Sequence, residues 1–140
     1  MNNAKIKKSQ LQFSDPVLKE FHIEINEDFL AKHSDEEMID MPKVVYETDH
    51  TAIENNEFFV IGKVVVGEVG EDSPFYAYVT MGARFYYNED ISEELLNNFI
   101  SVNAPAHILS YMRPVLAMLT SMTPFPSYHL PFLNLTENNK

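Results

Sequence analysis

Alternating apolar and polar positions predict β-strands in the first half of the chain. Over residues 18–26, Phe21, Ile23 and Ile25 share one face with Lys19, while carboxylates populate the opposite face. Successive side chains of a strand point to opposite faces, so this pattern predicts a strand that is buried on one side and exposed to solvent on the other. Residues 43–49 alternate in the same way and predict a second strand.

Two further strands form a predicted hairpin. Residues 58–66 are apolar on both faces, which indicates a central strand covered on both sides, with a second subunit as one candidate cover. Residues 67–74 contain glycines, acidic residues and Pro74, a composition typical of a turn. Alternation resumes over residues 75–87, where the positions predicted to share one apolar face are Phe75, Ala77, Val79, Met81, Ala83, Phe85 and Tyr87.

Beyond Asp90 the apolar period changes to that of a helix. Asp90 and Glu93 fit a relaxed capping box with Asp90 as the cap. Pro105 interrupts the pattern and predicts the start of a second helix, and Pro114 predicts a kink within it. The apolar stripes are Ile91, Leu95, Phe99 and Val102 in the first helix and Ile108, Met112, Val115, Leu119 and Met122 in the second. Prolines at 124, 126 and 131 then predict an extended segment up to Leu135.

Strands followed by helices predict an α+β fold, with a four-stranded antiparallel sheet and helices packed on one face. The 140 residues suit a single domain over 1–140. Residues 1–10 are predicted to be a flexible arm, because they hold three lysines and little apolar content, and residues 136–140 a flexible tail.

The composition of the chain argues against several classes of function. The formal charge of −11 disfavours binding to nucleic acid or to anionic lipid. No apolar run is long enough for a membrane span, and the first lysines are not followed by the apolar core of a signal peptide. We therefore expect a soluble, unsecreted, cytoplasmic protein without membrane insertion.

Residues that carry catalytic chemistry are sparse. Cysteine is absent, the five histidines lie far apart, and none has a metal-ligand spacing. The four glycines match neither a phosphate-binding loop nor a dinucleotide fingerprint. The sequence therefore predicts no catalytic residues, no metal and no cofactor, and it favours a protein that is not an enzyme.

Two groups of residues are candidates for binding. The first is acidic: Glu20 and Glu24 on the wet face of the first strand, with Glu71 and Asp72 in the turn. This group is either an ordinary solvated face or a docking patch for a basic partner. The second is the apolar part of the segment 125–133, whose residues are Phe125, Tyr128, Leu130, Phe132 and Leu133. These residues either close the core or line a groove for apolar polypeptide segments.

From about Leu11 to Leu135 the sequence resembles the SecB protein-export chaperones. That family carries a Cys-Pro-Asn-Ile-Leu-Phe-Pro-Tyr-Ala-Arg run and, after a short helical stretch, Thr-Phe-Pro-Gln-Leu-Asn-Leu. Here residues 104–113 read Ala-Pro-Ala-His-Ile-Leu-Ser-Tyr-Met-Arg, and Pro-Phe-Pro begins at 124. The hairpin region 57–85, with its Val-Gly-Glu-Asp turn, also agrees in order and spacing. The coinciding residues of the C-terminal part are Pro105, Tyr111, Arg113, Phe125, Pro126, Leu130 and Asn134.

The resemblance implies a chaperone that holds unfolded or apolar polypeptides in a groove and passes them to the SecA motor for export. It also implies a homo-oligomer, a dimer or tetramer, without a cofactor. By position, Glu20, Glu24 and Glu71 match the family's SecA-binding residues, and the loop 125–135 matches its groove wall.

Two departures from the SecB pattern qualify this expectation. SecB proteins continue into a second helix and a tail, so we expect a shortened, divergent branch. Ser110 also replaces a family proline, while Pro114 is added. The alternatives are an adaptor or regulatory protein that keeps the fold without holding clients, and a small-molecule-binding or enzymatic domain.

Overall fold

The computed structural model describes residues 10–33, 42–70 and 73–135. The predicted tail 136–140 and all but one residue of the predicted arm 1–10 lie outside these ranges. The strands are β1 (Leu11–Phe13), β2 (Val17–Ile25), β3 (Val44–His50), β4 (Glu57–Val66) and β5 (Phe75–Tyr87). The helices are α1 (Glu27–His33), α2 (Glu93–Asn98) and α3 (Ala104–Ser121), and a π-turn (Phe99–Asn103) joins the last two.

The strands form one antiparallel sheet. β4 lies between β3 and β5, and the other edge of β5 pairs with β2 and, further along, with β1. β1 and β2 therefore occupy one edge position in succession, so the sheet is four positions wide, although it has five strand segments. This architecture confirms the predicted α+β fold with an antiparallel sheet.

One face of the sheet, here called the inner face, packs against α3. The register places Phe58 opposite Phe85 and Val64 opposite Val79, and directly opposed side chains share a face. The core-facing alternation predicted for residues 75–87 is confirmed, since the six predicted side chains from Phe75 to Phe85 are buried and Tyr87 is half-buried against the same core. The helix contributes Ile108, Leu109, Met112, Leu116 and Leu119 to the same core.

The sequence placed the cap of the first helix incorrectly. Ser92, not Asp90, is the N-cap, because its extended backbone lets Oγ accept the N–H of Leu95 at 3.2 Å. The start of a second helix predicted at Pro105 lies within one residue of the observed one, since α3 begins at Ala104 with Pro105 in its first turn, but the helical structure is not broken at Pro105. The π-turn before it carries the chain from α2 into α3, with the N–H of Ala104 donating to the carbonyl of Phe99. Helical structure also continues past Pro114 to Ser121.

Lys19 does not share the apolar face of β2, as the alternation had predicted. The register between β2 and β5 shifts between Leu18 and Glu20, so Lys19 lies in a bulge. Its Nζ lies 5.4 Å from the centre of the Phe59 ring, which belongs to the outer face of the sheet. After the bulge, every second residue of β2 from Phe21 onward lies on the inner face of the sheet, and Ile23 and Ile25 pack against the core.

Candidate functional site

The segment after α3 runs back along that helix and is fixed to it by side-chain hydrogen bonds. Ser127 Oγ donates to the carbonyl of Ala117 at 2.7 Å, and the N–H of Tyr128 donates to Thr120 Oγ1 at 2.7 Å. Further along, Arg113 donates to the carbonyls of Leu130 and Pro131, at 2.6 and 3.0 Å. Residues 126–134 belong to neither a helix nor a strand, and α3 supplies partners for the backbone groups of Tyr128, Leu130 and Pro131.

The five predicted groove residues divide between the core and the surface. Tyr128 and Leu130 are buried, and Tyr128 packs edge-on against Phe75. Phe125 and Leu133 are half-buried against the same core. Phe132 is 95% exposed, and its ring lies 4.7 Å from the Arg113 guanidinium carbon. The structure therefore brings the five together along α3 but leaves one of them free to contact another molecule.

Further apolar side chains are exposed on α3 and at the edge of the sheet. They include Tyr111 and Met118 on α3 and Met122 directly after it. On the edge strand β2, Leu18 and Phe21 are exposed although their partners Met81 and Val79 belong to the inner face. Sequence reasoning missed Phe21 as a surface residue, because alternation assigns a face but does not tell whether that face is covered at the sheet edge. It assigned Leu18 to the outer face, because it did not include the bulge after Leu18.

The acidic residues Glu20 and Glu24 lie on the outer face of β2, one on each side of His22. Glu20 Oε1 accepts a hydrogen bond from the Tyr78 hydroxyl at 2.8 Å, and this bond raises the pKa of Tyr78. His22 Nε2 lies 2.8 Å from Glu24 Oε2. Glu71 and Asp72 lie outside the described residues, so the structure does not place them relative to this pair.

Aromatic and basic side chains surround the two carboxylates. The His22 ring stacks on Tyr78 at 5.2 Å and is 5.9 Å from Tyr76. Lys63 Nζ lies 4.4 Å from the centre of the Tyr78 ring, on the side of β4. Next to Glu24, an open cleft of about 450 Å³ is lined by three further carboxylates, those of Glu27, Asp28 and Glu68, and by Lys32. The outer face of β2 is therefore acidic at one end and aromatic in its centre.

His107 lies in an aromatic cluster that the sequence did not predict. Its ring is 3.9 Å from that of Phe13, 5.2 Å from Tyr111 and 6.1 Å from Phe85. Its Nε2 is buried without a hydrogen-bond partner in the described part of the chain, and burial lowers the pKa of the ring. The five histidines offered no spacing signal for this arrangement, because the cluster draws on β1, β5 and α3.

Within the described ranges, the structure contains no group of three His, Cys, Asp or Glu side chains arranged for a metal ion. No helix within residues 10–33, 42–70 and 73–135 combines the length and the hydropathy of a membrane-spanning helix.

Solved structures with a similar fold include the SecB-like chaperone of Mycobacterium tuberculosis in complex with a ChAD peptide from the HigA1 antitoxin. It superposes with a TM-score of 0.64 at 16% sequence identity, over 89% of this chain and 88% of that chain. A protein of unknown function from Streptococcus agalactiae gives a TM-score of 0.52 at 12% identity, over 87% and 97% of the two chains. No protein-family model and no curated protein sequence matches the chain. The fold is thus similar to that of a SecB-like chaperone.

Proposed function

We propose that the chain is a SecB-like, non-enzymatic protein-binding module that holds unfolded or apolar polypeptide segments. One observation carries the proposal: Phe132 is 95% exposed on a segment whose backbone Arg113 fixes by two hydrogen bonds. A large aromatic ring exposed to water favours contact with another apolar group, because burial removes apolar surface from water. The peptide complex of the Mycobacterium tuberculosis chaperone, which has a similar fold, supports the same class of ligand.

The exposed side of α3 extends this apolar surface. Across its 18 residues, Arg113 is the single Asp, Glu, Lys or Arg in the sequence. Tyr111, Met118 and Met122 are exposed there, and methionine adapts to irregular partners because it is unbranched and flexible. We expect a surface of this kind to accept many apolar sequences, as a holding chaperone requires.

The acidic outer face is proposed as a second, separate docking site for a basic partner. Glu20 and Glu24 are exposed on the side of the sheet opposite to Phe132, and we include Glu71 and Asp72 in the site. Carboxylates beside tyrosine rings attract lysine and arginine side chains by Coulomb and cation–π interactions. A contact with SecA at this face, serving protein export from the cytoplasm, is the specific form of this proposal.

Assembly into a dimer or tetramer is the third part of the proposal. Val17, Val45 and Ile61 are exposed apolar residues of the outer sheet face, and the exposed face of α3 is uncharged except for Arg113. Apolar side chains that are exposed on the sheet and on α3 favour burial against further copies of the chain.

A light-scattering experiment in two steps tests the proposed function. The mass of the chain alone is measured at micromolar concentration and physiological salt, and we expect a dimer or tetramer. The aggregation of an unfolded client is then followed with and without the chain, and we expect it to be suppressed. A monomer would contradict the assembly. An assembled chain that does not delay aggregation would contradict the holding function and favour the adaptor alternative, in which one defined peptide is bound.

A further inference from the structure

The short strand β1 fills a binding site on the edge of β5. Leu11, Gln12 and Phe13 pair with Tyr87, Tyr86 and Phe85. The pairing ends at Ser14, whose N–H donates to the carbonyl of Arg84 at 2.9 Å and whose Oγ accepts the N–H of Arg84 at 3.2 Å. Sheet pairing of this kind depends on the backbone of the added strand, so any extended segment can make it.

The side chain of Phe13 fills an aromatic slot at this edge. The slot consists of Phe85, His107 and Tyr111, whose ring centres lie 6.5, 3.9 and 6.3 Å from that of Phe13. Leu11 and Phe13 point to the inner face and are half-buried against the core, while Gln12 between them belongs to the outer face. The site therefore holds an apolar, polar, aromatic triplet in an extended conformation.

Two features make β1 a replaceable occupant. It pairs over three residues, whereas β2 is nine residues long, and residues 14–16 between the two strands belong to neither. With Phe13 in the slot, His107 Nε2 is also buried without a partner in the described part of the chain. A buried nitrogen without a hydrogen bond opposes the docking of Phe13, because the nitrogen has lost its contact with water.

We propose that client polypeptides enter this site by displacing β1, so that an extended client segment pairs with Phe85–Tyr87 and places an aromatic side chain in the slot. This inference rests on the proposed holding function and specifies how a client is recognised. We therefore expect client segments in this site to resemble the chain's own Leu-Gln-Phe sequence. β1 then acts as a built-in competitor, which closes the site when no client is present.

A disulfide that locks β1 in place tests the proposal. The chain has no cysteine, so the double variant Gln12→Cys/Tyr86→Cys forms one defined bond between directly opposed residues. The N–H of Ser14 donates to the carbonyl of Arg84, so Gln12 and Tyr86, two residues further along the register, are also a hydrogen-bonded pair. The Cα atoms of such a pair lie about 5.5 Å apart, which suits a disulfide. Binding of a fluorescent, unfolded, apolar-rich polypeptide is measured by anisotropy in the oxidised form, in the same protein after reduction, and in the parent.

We expect oxidation to weaken binding by about tenfold or more, because it removes the binding-competent population, and reduction to restore it. Equal affinity in the oxidised and reduced forms would overturn the displacement of β1 while leaving the holding function intact. A parent that binds no client would contradict the holding function itself, and this inference with it. The three results are therefore distinguishable.

A second variant checks the slot without a disulfide. The variant Phe13→Ala weakens the docking of β1. The probe is a labelled peptide Gln-Leu-Gln-Phe-Ser-Asp, a copy of residues 10–15. This peptide should bind the variant about tenfold more tightly than it binds the parent. The same peptide with alanine in place of phenylalanine is the control and should lose this gain. If both peptides bind the variant no better than the parent, β1 does not compete for the site.

Discussion

Thr120 Oγ1 accepts the backbone N–H of Tyr128 at 2.7 Å and donates to the carbonyl of Leu116 at 2.8 Å. Thr120 is fully buried, so this hydroxyl is an interior polar link between α3 and the C-terminal segment. The link fixes the position of Tyr128 against α3. The exposed Phe132 lies four residues after Tyr128.

Replacing Thr120 with valine keeps the shape of the side chain but removes this link. We expect the free energy of unfolding to fall by about 1–3 kcal/mol, because the N–H of Tyr128 stays buried without an acceptor. Denaturant unfolding measures the effect. Ser121→Ala is the control, since Ser121 is exposed and bonds only to its own helix, and it should change stability little. Equal stability of the valine variant and the parent would show that the segment does not depend on this link.

Tyr128→Ala and Phe132→Ala separate core packing from client binding. Tyr128 is 8% exposed, and truncating a buried aromatic residue costs about 3–5 kcal/mol. We expect this variant to have a much lower denaturant midpoint than the parent. Phe132→Ala should keep the midpoint, since exposed sites change stability by no more than about 0.5 kcal/mol, and should bind unfolded polypeptide more weakly. Unchanged client affinity in a folded Phe132→Ala protein would remove this residue from the proposed binding surface.

Charge reversal tests the acidic outer face. The variant Glu20→Lys/Glu24→Lys/Glu71→Lys should fold normally and still bind clients, because Glu20 and Glu24 lie on the outer face of the sheet, opposite to the surface around Phe132. Its association with SecA, or with any basic partner obtained by pull-down, should be slower and lose its salt dependence, since complementary charges mainly accelerate association. Equal rate constants for the variant and the parent across a salt series would argue against a docking patch.

Protonation of His107 predicts a pH dependence of stability. Burial lowers the pKa of the ring, so the folded chain holds a neutral imidazole where the unfolded chain, with an ordinary pKa of about 6.5, takes up a proton. The unfolded state then binds more protons, and stability should fall as the pH falls through about 6.5 toward the lowered pKa of the folded state.

Denaturant midpoints between pH 5 and pH 8 measure this dependence. His107→Phe keeps an aromatic ring in the slot and should flatten the curve in this range, and it also removes the buried nitrogen without a partner. His50→Gln at an exposed position serves as the control for the loss of a histidine. A parent and a His107→Phe variant with parallel curves would contradict a contribution from His107.

The sheet could be predicted from the sequence, because its strands are long enough for alternation to be read. In β5 the buried positions 75, 77, 79, 81, 83 and 85 repeat every second residue over most of its length. β1 and α1 were missed, since three and seven residues are too few to establish a period. The bulge at Lys19 was missed because its cause is the pairing with β5, which the local sequence does not contain.

The candidate surfaces were predictable in composition but not in exposure. The apolar excess of residues 125–133 was evident, yet Tyr128 and Phe132 differ only in what covers them, and that depends on hydrogen bonds to α3 that connect residues 8 to 18 positions apart. The aromatic cluster around His107 was not predictable, because its members come from β1, β5 and α3 and share no sequence spacing.

The π-turn before Pro105 makes the helical region tolerant of a change in residue number. A π-turn holds one residue more than an α-helical turn, so the extra residue lengthens the chain without adding a further turn. Deleting one residue between Phe99 and Asn103 would therefore leave an ordinary α-helical turn, and α2 would keep nearly the same face toward the core, with Leu96 still in contact with it. A deletion inside α3 would instead rotate the residues beyond it by about 100° and move part of the apolar face off the core. In alignments of related chains, a gap of one residue is therefore expected within residues 99–103.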